Sequence, residues 1–352
     1  MYEKYFGLAA NPFSMTPDPA MLFMTSTHRE ALAGLAYAIL ERKGFAALTG
    51  EAGTGKTSLL ARTLTVLPKA RVVSSVILNP SLNESEFIEM MLLDFGFRSI
   101  PQSKARRLLL FQEFLLKTQA AGQIAVLVVD EAHKLTPAVL EEVRLLSNLE
   151  FPGTKLLQIV LAGQPELIDV LNRPDLRQLN QRVSVRLAIG LLRPGEIEHY
   201  IALRWSKAAS TRAPFAESCY GEIARWSRGI PRLVNSICDN SLMLAFAETA
   251  AAVEPHHVVE ASRDLSLTDP AAKLYAVAVQ AASGAGPGHS VNSANGRGSA
   301  AERTQETVLA NPRPAAIPLG GPTAPLRPAG AYQPAPKPPA WWRWMTRRKA
   351  AP

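Results

Sequence analysis

One stretch of the chain, Gly50 to Thr57 (GEAGTGKT), has residue types and spacing suited to gripping a polyphosphate. The glycines Gly50, Gly53 and Gly55 let the backbone curl until successive N–H groups face phosphate oxygens, with Glu51, Ala52 and Thr54 completing the loop. Lys56 offers a cation for β- and γ-phosphates and Thr57 a hydroxyl for Mg²⁺, while Ser58 continues the helix whose positive end lies behind the loop. ATP with Mg²⁺ is the expected ligand. A second stretch, IAVLVVDEAH, ends an apolar run in two carboxylates. Asp130 is expected to hold Mg²⁺ through water, and Glu131 to orient and deprotonate the attacking water. An acidic pair at a strand end often caps the next helix; paired with the glycine loop, it reads as the hydrolytic half of the site. The adjacent carboxylate also separates the chain from GTP-hydrolysing relatives of such loops, which position water differently. His133 completes DEAH, but a helicase needs a second nucleotide-binding core and 352 residues leave no room for one. His133 is read as a local hydrogen-bonding residue.

Gln164, in LAGQPEL, follows another apolar run and stands where an amide can sense the γ-phosphate or hold the lytic water, or serve as an ordinary loop residue. Arg173, Arg177, Arg182 and Arg186 crowd into RPDLRQLNQRVSVRL. A guanidinium supplied by a neighbouring copy stabilises phosphoryl transfer, and Arg182 is favoured over Arg186 for that role. Arg232, in GIPR, starts a helix behind Pro231 and is expected to reach back to the phosphates.

These residues need a scaffold that brings strand ends together. GFAALTG (44–50), RVVSSVIL (71–78), IAVLVVD (124–130) and KLLQIVLAG (155–163) are continuous apolar runs, as strands covered on both faces require. Helical patterns alternate with them over Glu84 to Phe95, Ser103 to Ala121, and from Thr136 and Pro137 to about Leu149. The expected fold is α/β, a parallel sheet binding ligand beyond its carboxyl ends. Residues 1–30 form an aromatic, proline-punctuated arm expected to pack on the ATPase core, which spans 31–192 with a first helix over about Thr27 to Arg42. From Arg193 only helical patterns remain, which makes 193–270 a small helical lid. From Ala271 onward Ala, Gly, Pro and Ser dominate, a composition that cannot bury enough apolar surface to offset ordering, so 271–352 is expected to be disordered.

The net charge of +8 lies wholly in that tail; residues 1–270 carry 28 basic and 28 acidic side chains. The isoelectric point alone is therefore no argument for DNA binding. Two cysteines, Cys219 and Cys238, fit small core residues in a reducing compartment rather than a disulfide scaffold. No run reaches the length of a membrane span and no signal sequence opens the chain, so a cytosolic location is expected. Trp341, Trp342 and Trp344 alternate with Arg343, Arg347, Arg348 and Lys349 at the end of the tail. That mixture suits weak peripheral contact with an anionic membrane, about 1 kcal/mol per basic residue, with a frayed end, a protein contact or single-stranded nucleic acid as alternatives.

Residues 1–265 resemble the AAA+ ATPases of the general secretion pathway protein A (ExeA) type, including exosortase- and exopolysaccharide-associated relatives. The resemblance rests on MYEKYFGL with NPF, PDP and His28, GFAALTGEAGTGKT, VLVVDEAH, LAGQPEL, LNQRVSVRL and GIPRLVN. It implies Gln164 as first sensor, Arg182 as the finger in trans, Arg232 as second sensor, and homo-oligomers with shared ATP sites. The namesake of that group continues into a membrane helix and a peptidoglycan-binding module, patterns not found in this tail, which turns the expectation toward the exosortase-associated branch, a protein client of the envelope, and a site peripheral to the inner membrane. DNA-transposition regulators, which polymerise on DNA, and a slowly hydrolysing scaffold are the other readings.

Overall fold

Short apolar runs with few charges become strands here because both faces of each are covered. In the computed structural model, which describes residues 2–16, 18–78, 81–151, 153–209 and 211–269, β1 (Phe45–Thr49), β3 (Ile124–Val129) and β6 (Leu157–Gly163) are buried along their entire length. With β2 (Val72–Ile77) and β7 (Val183–Ala188) they form a five-stranded sheet ordered β2-β3-β6-β1-β7, and every pairing is parallel. A separate two-residue antiparallel pair, β4 (Glu150–Phe151) with β5 (Thr154–Lys155), sits just before β6.

The period of two along each strand sorts side chains between two cores. Ala47, Leu127, Val129, Ile159 and Leu161 point to one face, where they pack with α4 (Glu84–Asp94), α5 (Lys104–Ala120), α6 (Pro137–Leu146), α7 (Glu166–Leu171) and α8 (Arg177–Asn180). Ala46, Leu48, Val126, Val128 and Val160 point to the other, against α2 (Ser26–Leu40) and α3 (Lys56–Val66). Helix starts follow their caps: Thr25 accepts from the His28 N–H at the head of α2, and Thr136 caps α6 with Pro137 in the first turn.

β7 was not expected as a strand. It is an edge strand with alternating burial, and Ser184 and Arg186 break its apolar run, so it lacks the pattern of its buried neighbours. Its backbone nevertheless pairs with β1 over Phe45 to Thr49.

The remaining helices, α9 (Ile197–Ser206), α10 (Glu217–Ser227), α11 (Pro231–Ala247) and α12 (Pro255–Asp264), enclose a third core around Trp205, Ile223, Ile237 and Leu242. Both cysteines are buried within it. The arm opens with a four-residue helix, α1 (Tyr2–Tyr5), and then divides. Tyr2 and Phe13 enter this helical core, whereas Leu22 and Met24 pack beside α2 and α3. Phe13 meets Phe215 edge-on, with ring centroids 6.2 Å apart. The tail from Ala271, and with it the tryptophan-rich segment, lies outside the described residues.

Candidate functional site

A parallel sheet gathers its strand ends on one edge, and there the two motifs meet. The loop after β1 runs from Gly50 to Gly55 and feeds α3, whose first residue is Lys56. Lys56 is buried, and its ammonium donates to the carbonyls of Gly50 (2.7 Å) and Glu51 (2.9 Å). Burial lowers its pKa, Arg232 adds to that, and Asp130, Glu131 and Glu51 oppose it. Thr54 ties the loop from inside, its hydroxyl donating to the Glu51 carbonyl at 2.8 Å.

β3 is followed directly by Asp130, whose carboxylate accepts a hydrogen bond from the Thr57 hydroxyl and another from the Glu131 N–H at 2.9 Å. Asp130 is only 3% exposed. Desolvation pushes its pKa up, with the Glu131 charge adding, while Thr57, the Glu131 amide and Lys56 pull the other way. Glu131 takes a left-handed backbone (φ +55°), uncommon away from glycine, as the chain turns from β3 into the 3₁₀ turn Ala132–Lys134. Burial raises its pKa, but Lys134 at 3.0 Å, His133 and Lys56 outweigh that, and the net shift is downward.

β6 lies between β1 and β3, so Gln164, the residue after it, sits between the loop and the carboxylates. Its backbone N–H donates to His133 Nδ1 and its side-chain amide lies 3.3 Å from His133 Nε2. His133 Nε2 is in turn 3.7 Å from the Glu131 carboxylate. The histidine thus bridges Gln164 and Glu131.

Arg232 comes from the lid. It sits in the first turn of α11, directly over the loop: a Cβ on Gly53 would lie 2.6 Å from Arg232 Cβ. Gly53 has φ +83°, so the absent side chain both permits the turn and leaves room for the lid. Arg182 is elsewhere. It precedes β7, and because Phe45 pairs with Val183, it stands at the starting end of the sheet. The phosphate loop lies beyond Thr49, a strand length of about 16 Å away. Arg182 donates to the Ser147 hydroxyl at 2.6 Å, and Arg186 bonds Asn180. Neither is brought to the loop of its own chain.

The cleft has a wall that the motifs did not reveal. Met15, Asp18, Leu22 and Phe23 of the arm line it together with Tyr200, Arg204 and Asn235 of the lid. Arg204 is buried and donates to the carbonyls of Pro12 (2.7 Å) and Ser14 (3.1 Å), while Tyr200 donates to Asn235 at 2.8 Å. Asp239 accepts from Tyr2 and, at 2.9 Å, from Asn11. The aromatic density of the arm was the one available signal.

Comparison with known proteins agrees with this geometry. Residues 39–171 match the family described as an AAA domain. The chain is 43% identical over 251 residues to general secretion pathway protein A of Aeromonas hydrophila, a match covering 70% of this chain. The chain spans less than half of that relative, 45% of its length. Among solved structures, Cdc6p of Pyrobaculum aerophilum aligns with a TM-score of 0.59 at 20% identity, over 73% of this chain and 71% of that one. The ORC2 protein of Aeropyrum pernix aligns with a TM-score of 0.57 at 14% identity, over 73% and 72% of the two chains. At such identities the likeness speaks to fold alone. With loop, strand-end acids and helical domain arranged in this way, the chain has the P-loop AAA fold, and over 70% of its length it is a homologue of general secretion pathway protein A.

Proposed function

We propose that the chain binds Mg-ATP in this cleft, hydrolyses it, and couples the cycle to assembly of a bacterial envelope secretion or exosortase-associated system. The observation that carries the reading is the contact between the Thr57 hydroxyl and the buried Asp130 carboxylate, with Lys56 beside them. A carboxylate so desolvated is a poor neighbour for anything but a cation, and a hydroxyl with a carboxylate is an oxygen donor set of the kind Mg²⁺ takes. The residues fit the metal. Thr57 and Asp130 would hold Mg²⁺, which when bound offsets phosphate charge. Backbone N–H groups of Gly53 to Ser58 cradle the phosphates and Lys56 leaves the loop carbonyls to meet them. Glu131, kept ionised by Lys134, accepts the proton of the attacking water; Gln164, held by His133, orients that water or reports the γ-phosphate. Arg232 reads nucleotide state for the lid.

Arg182 acts in trans. Its place at the opposite end of the sheet from its own chain's loop supports that reading. Lys56→Ala is expected to remove most ATP binding, and Glu131→Gln to keep binding while turnover falls at least about 10²-fold. Wild-type turnover by Glu131→Gln would remove the base from Glu131. Mixing Arg182→Ala with Lys56→Ala should restore part of the activity that each lacks alone, because a hybrid interface joins an intact loop to an intact finger. No recovery in mixtures proven to co-assemble would end the trans assignment. An envelope role is supported by the likeness to general secretion pathway protein A, and co-purification of the partner with native but not Lys56→Ala protein tests it.

A further inference from the structure

His28 lies outside every motif assigned a role, yet it is 2% exposed, and its ring touches the phosphate loop where both line the cleft. Nε2 is 3.0 Å from the Thr54 carbonyl and Nδ1 is 2.7 Å from the Thr25 hydroxyl. These partners fix the proton. A carbonyl only accepts, so Nε2 carries the hydrogen and Nδ1 accepts from the Thr25 hydroxyl. The Thr25 oxygen also accepts the His28 N–H, at 3.3 Å, as the cap of α2. Burial lowers the pKa of the ring against the opposing pull of the Thr54 carbonyl and Glu196. Leu22 packs on the same side of the loop: a Cβ on Gly55 would sit 3.2 Å from Leu22 and 3.6 Å from His28 Nε2.

The peptide joining Thr54 to Gly55 is planar and trans, so its carbonyl and N–H point in opposite directions. A Thr54 carbonyl held by His28 therefore turns the Gly55 N–H away from the histidine. We infer that His28 is a positioning residue for phosphate binding: its Nε2–H holds the Thr54 carbonyl and so presets the Gly55 amide to donate to a bound nucleotide's phosphate. This rests on the nucleotide reading above. A preset amide raises affinity because the ligand does not have to order it. His28 stands at the head of α2, three residues after its cap, so the loop is anchored to the segment that continues from the arm. The signal was present in the sequence as a single histidine, but nothing local marks a partner 26 residues away.

The test compares three substitutions in the full chain, with ADP and adenosine as probes and calorimetry as readout. Glutamine carries an amide N–H to nearly the reach of Nε2, asparagine falls one methylene short, and leucine has no donor. Native protein should bind ADP, His28→Gln should stay within about threefold of it, and His28→Asn and His28→Leu should each bind ADP about tenfold more weakly, the scale of one lost hydrogen bond. Adenosine, which has no phosphate, should bind all four proteins alike. His28→Gln and His28→Asn both bury an amide, so their comparison cancels most of the cost in stability. Equal ADP affinity across the four proteins, or equal weakening by glutamine and asparagine, overturns the role of His28, as does a parallel loss for adenosine. Failure of native protein to bind ADP would instead overturn the nucleotide reading.

Discussion

On the sheet side of the cleft, Lys56, Thr57, Asp130, Glu131 and Gln164 all stand within a loop's length of a strand end, and the register of β1, β6 and β3 brings them together. On the opposite side, Arg204 reaches carbonyls some 190 residues away in sequence and Asp239 holds both Tyr2 and Asn11. The first wall inherits its geometry from buried parallel strands, which open only with the fold. The second depends on a few polar contacts between an arm and a helical domain, each worth about 1 kcal/mol or somewhat more where a charge takes part. Under the proposed function, the groups that do the chemistry sit on the rigid first wall, and the helical part is joined through the second, weaker one.

Asp130→Asn should separate chemistry from stability most sharply. The carboxylate is buried with its pKa pushed up by desolvation, so an amide of the same shape removes an unfavourable buried charge. Mg²⁺-dependent turnover is expected to fall by about 10²-fold or more, as for other groups that stabilise developing charge, while the melting temperature does not fall. A variant that is both active and less stable would make Asp130 a structural residue.

Arg204→Leu attacks the other wall. It strands the Pro12 and Ser14 carbonyls and takes a buried charge-assisted contact from Tyr200, so unfolding free energy should drop by about 2–4 kcal/mol in denaturant titration. The arm should then become accessible to proteases before the sheet does. Simultaneous loss of arm and sheet would mean that the two walls are one cooperative unit.

Gly53→Ala tests the seam between them. Alanine at φ +83° costs about 1–2 kcal/mol, and its methyl group would meet Arg232. ADP affinity should fall about tenfold, and Arg232→Ala added to it should recover part of the loss by making room. No recovery would place the whole effect in the loop backbone.

The sheet side was legible in advance for a physical reason. GEAGTGKT and VLVVDEAH each encode strand, turn and functional group in contiguous residues, so spacing alone located Lys56, Thr57, Asp130 and Glu131. The apolar runs gave four of the five sheet strands; β7 was hidden because an edge strand needs only alternate burial. On the other wall, the packing of an aromatic arm was legible but its polar contacts were not. Arg204, Asn235 and His28 are ordinary helix residues until the chain closes, and a buried arginine bonded to two distant carbonyls leaves no local pattern. Arg182 was recognisable as one of several arginines, and only the register of β7 with β1 separates it from its own chain's loop.

The smallest effect should come from a lid contact away from the cleft. At the junction of α11 and α12, Glu248 accepts from His257 Nε2 at 3.0 Å and lies 3.3 Å from His256 Nε2. The Glu254 N–H donates to His257 Nδ1, which leaves Nε2 as the protonated nitrogen facing the carboxylate. The hydrogen bond to His256 first, and then that to His257, holds the Glu248 carboxyl below its usual range. A carboxyl depressed on folding contributes stability above its unfolded pKa of 4.5, and that contribution is lost as pH falls through the lower folded value. The group is exposed and screened, so the contribution is slight and should shrink with salt. Glu248→Gln is therefore expected to melt marginally below native protein near neutral pH, with the two curves converging as the pH drops below the carboxylate range. ADP affinity should be unchanged throughout, because none of these three residues lines the cleft. If Glu248→Gln instead weakened ADP binding as much as Gly53→Ala does, the α11–α12 junction would belong to the responsive wall, and that wall would extend through the lid rather than end at its contact with the arm.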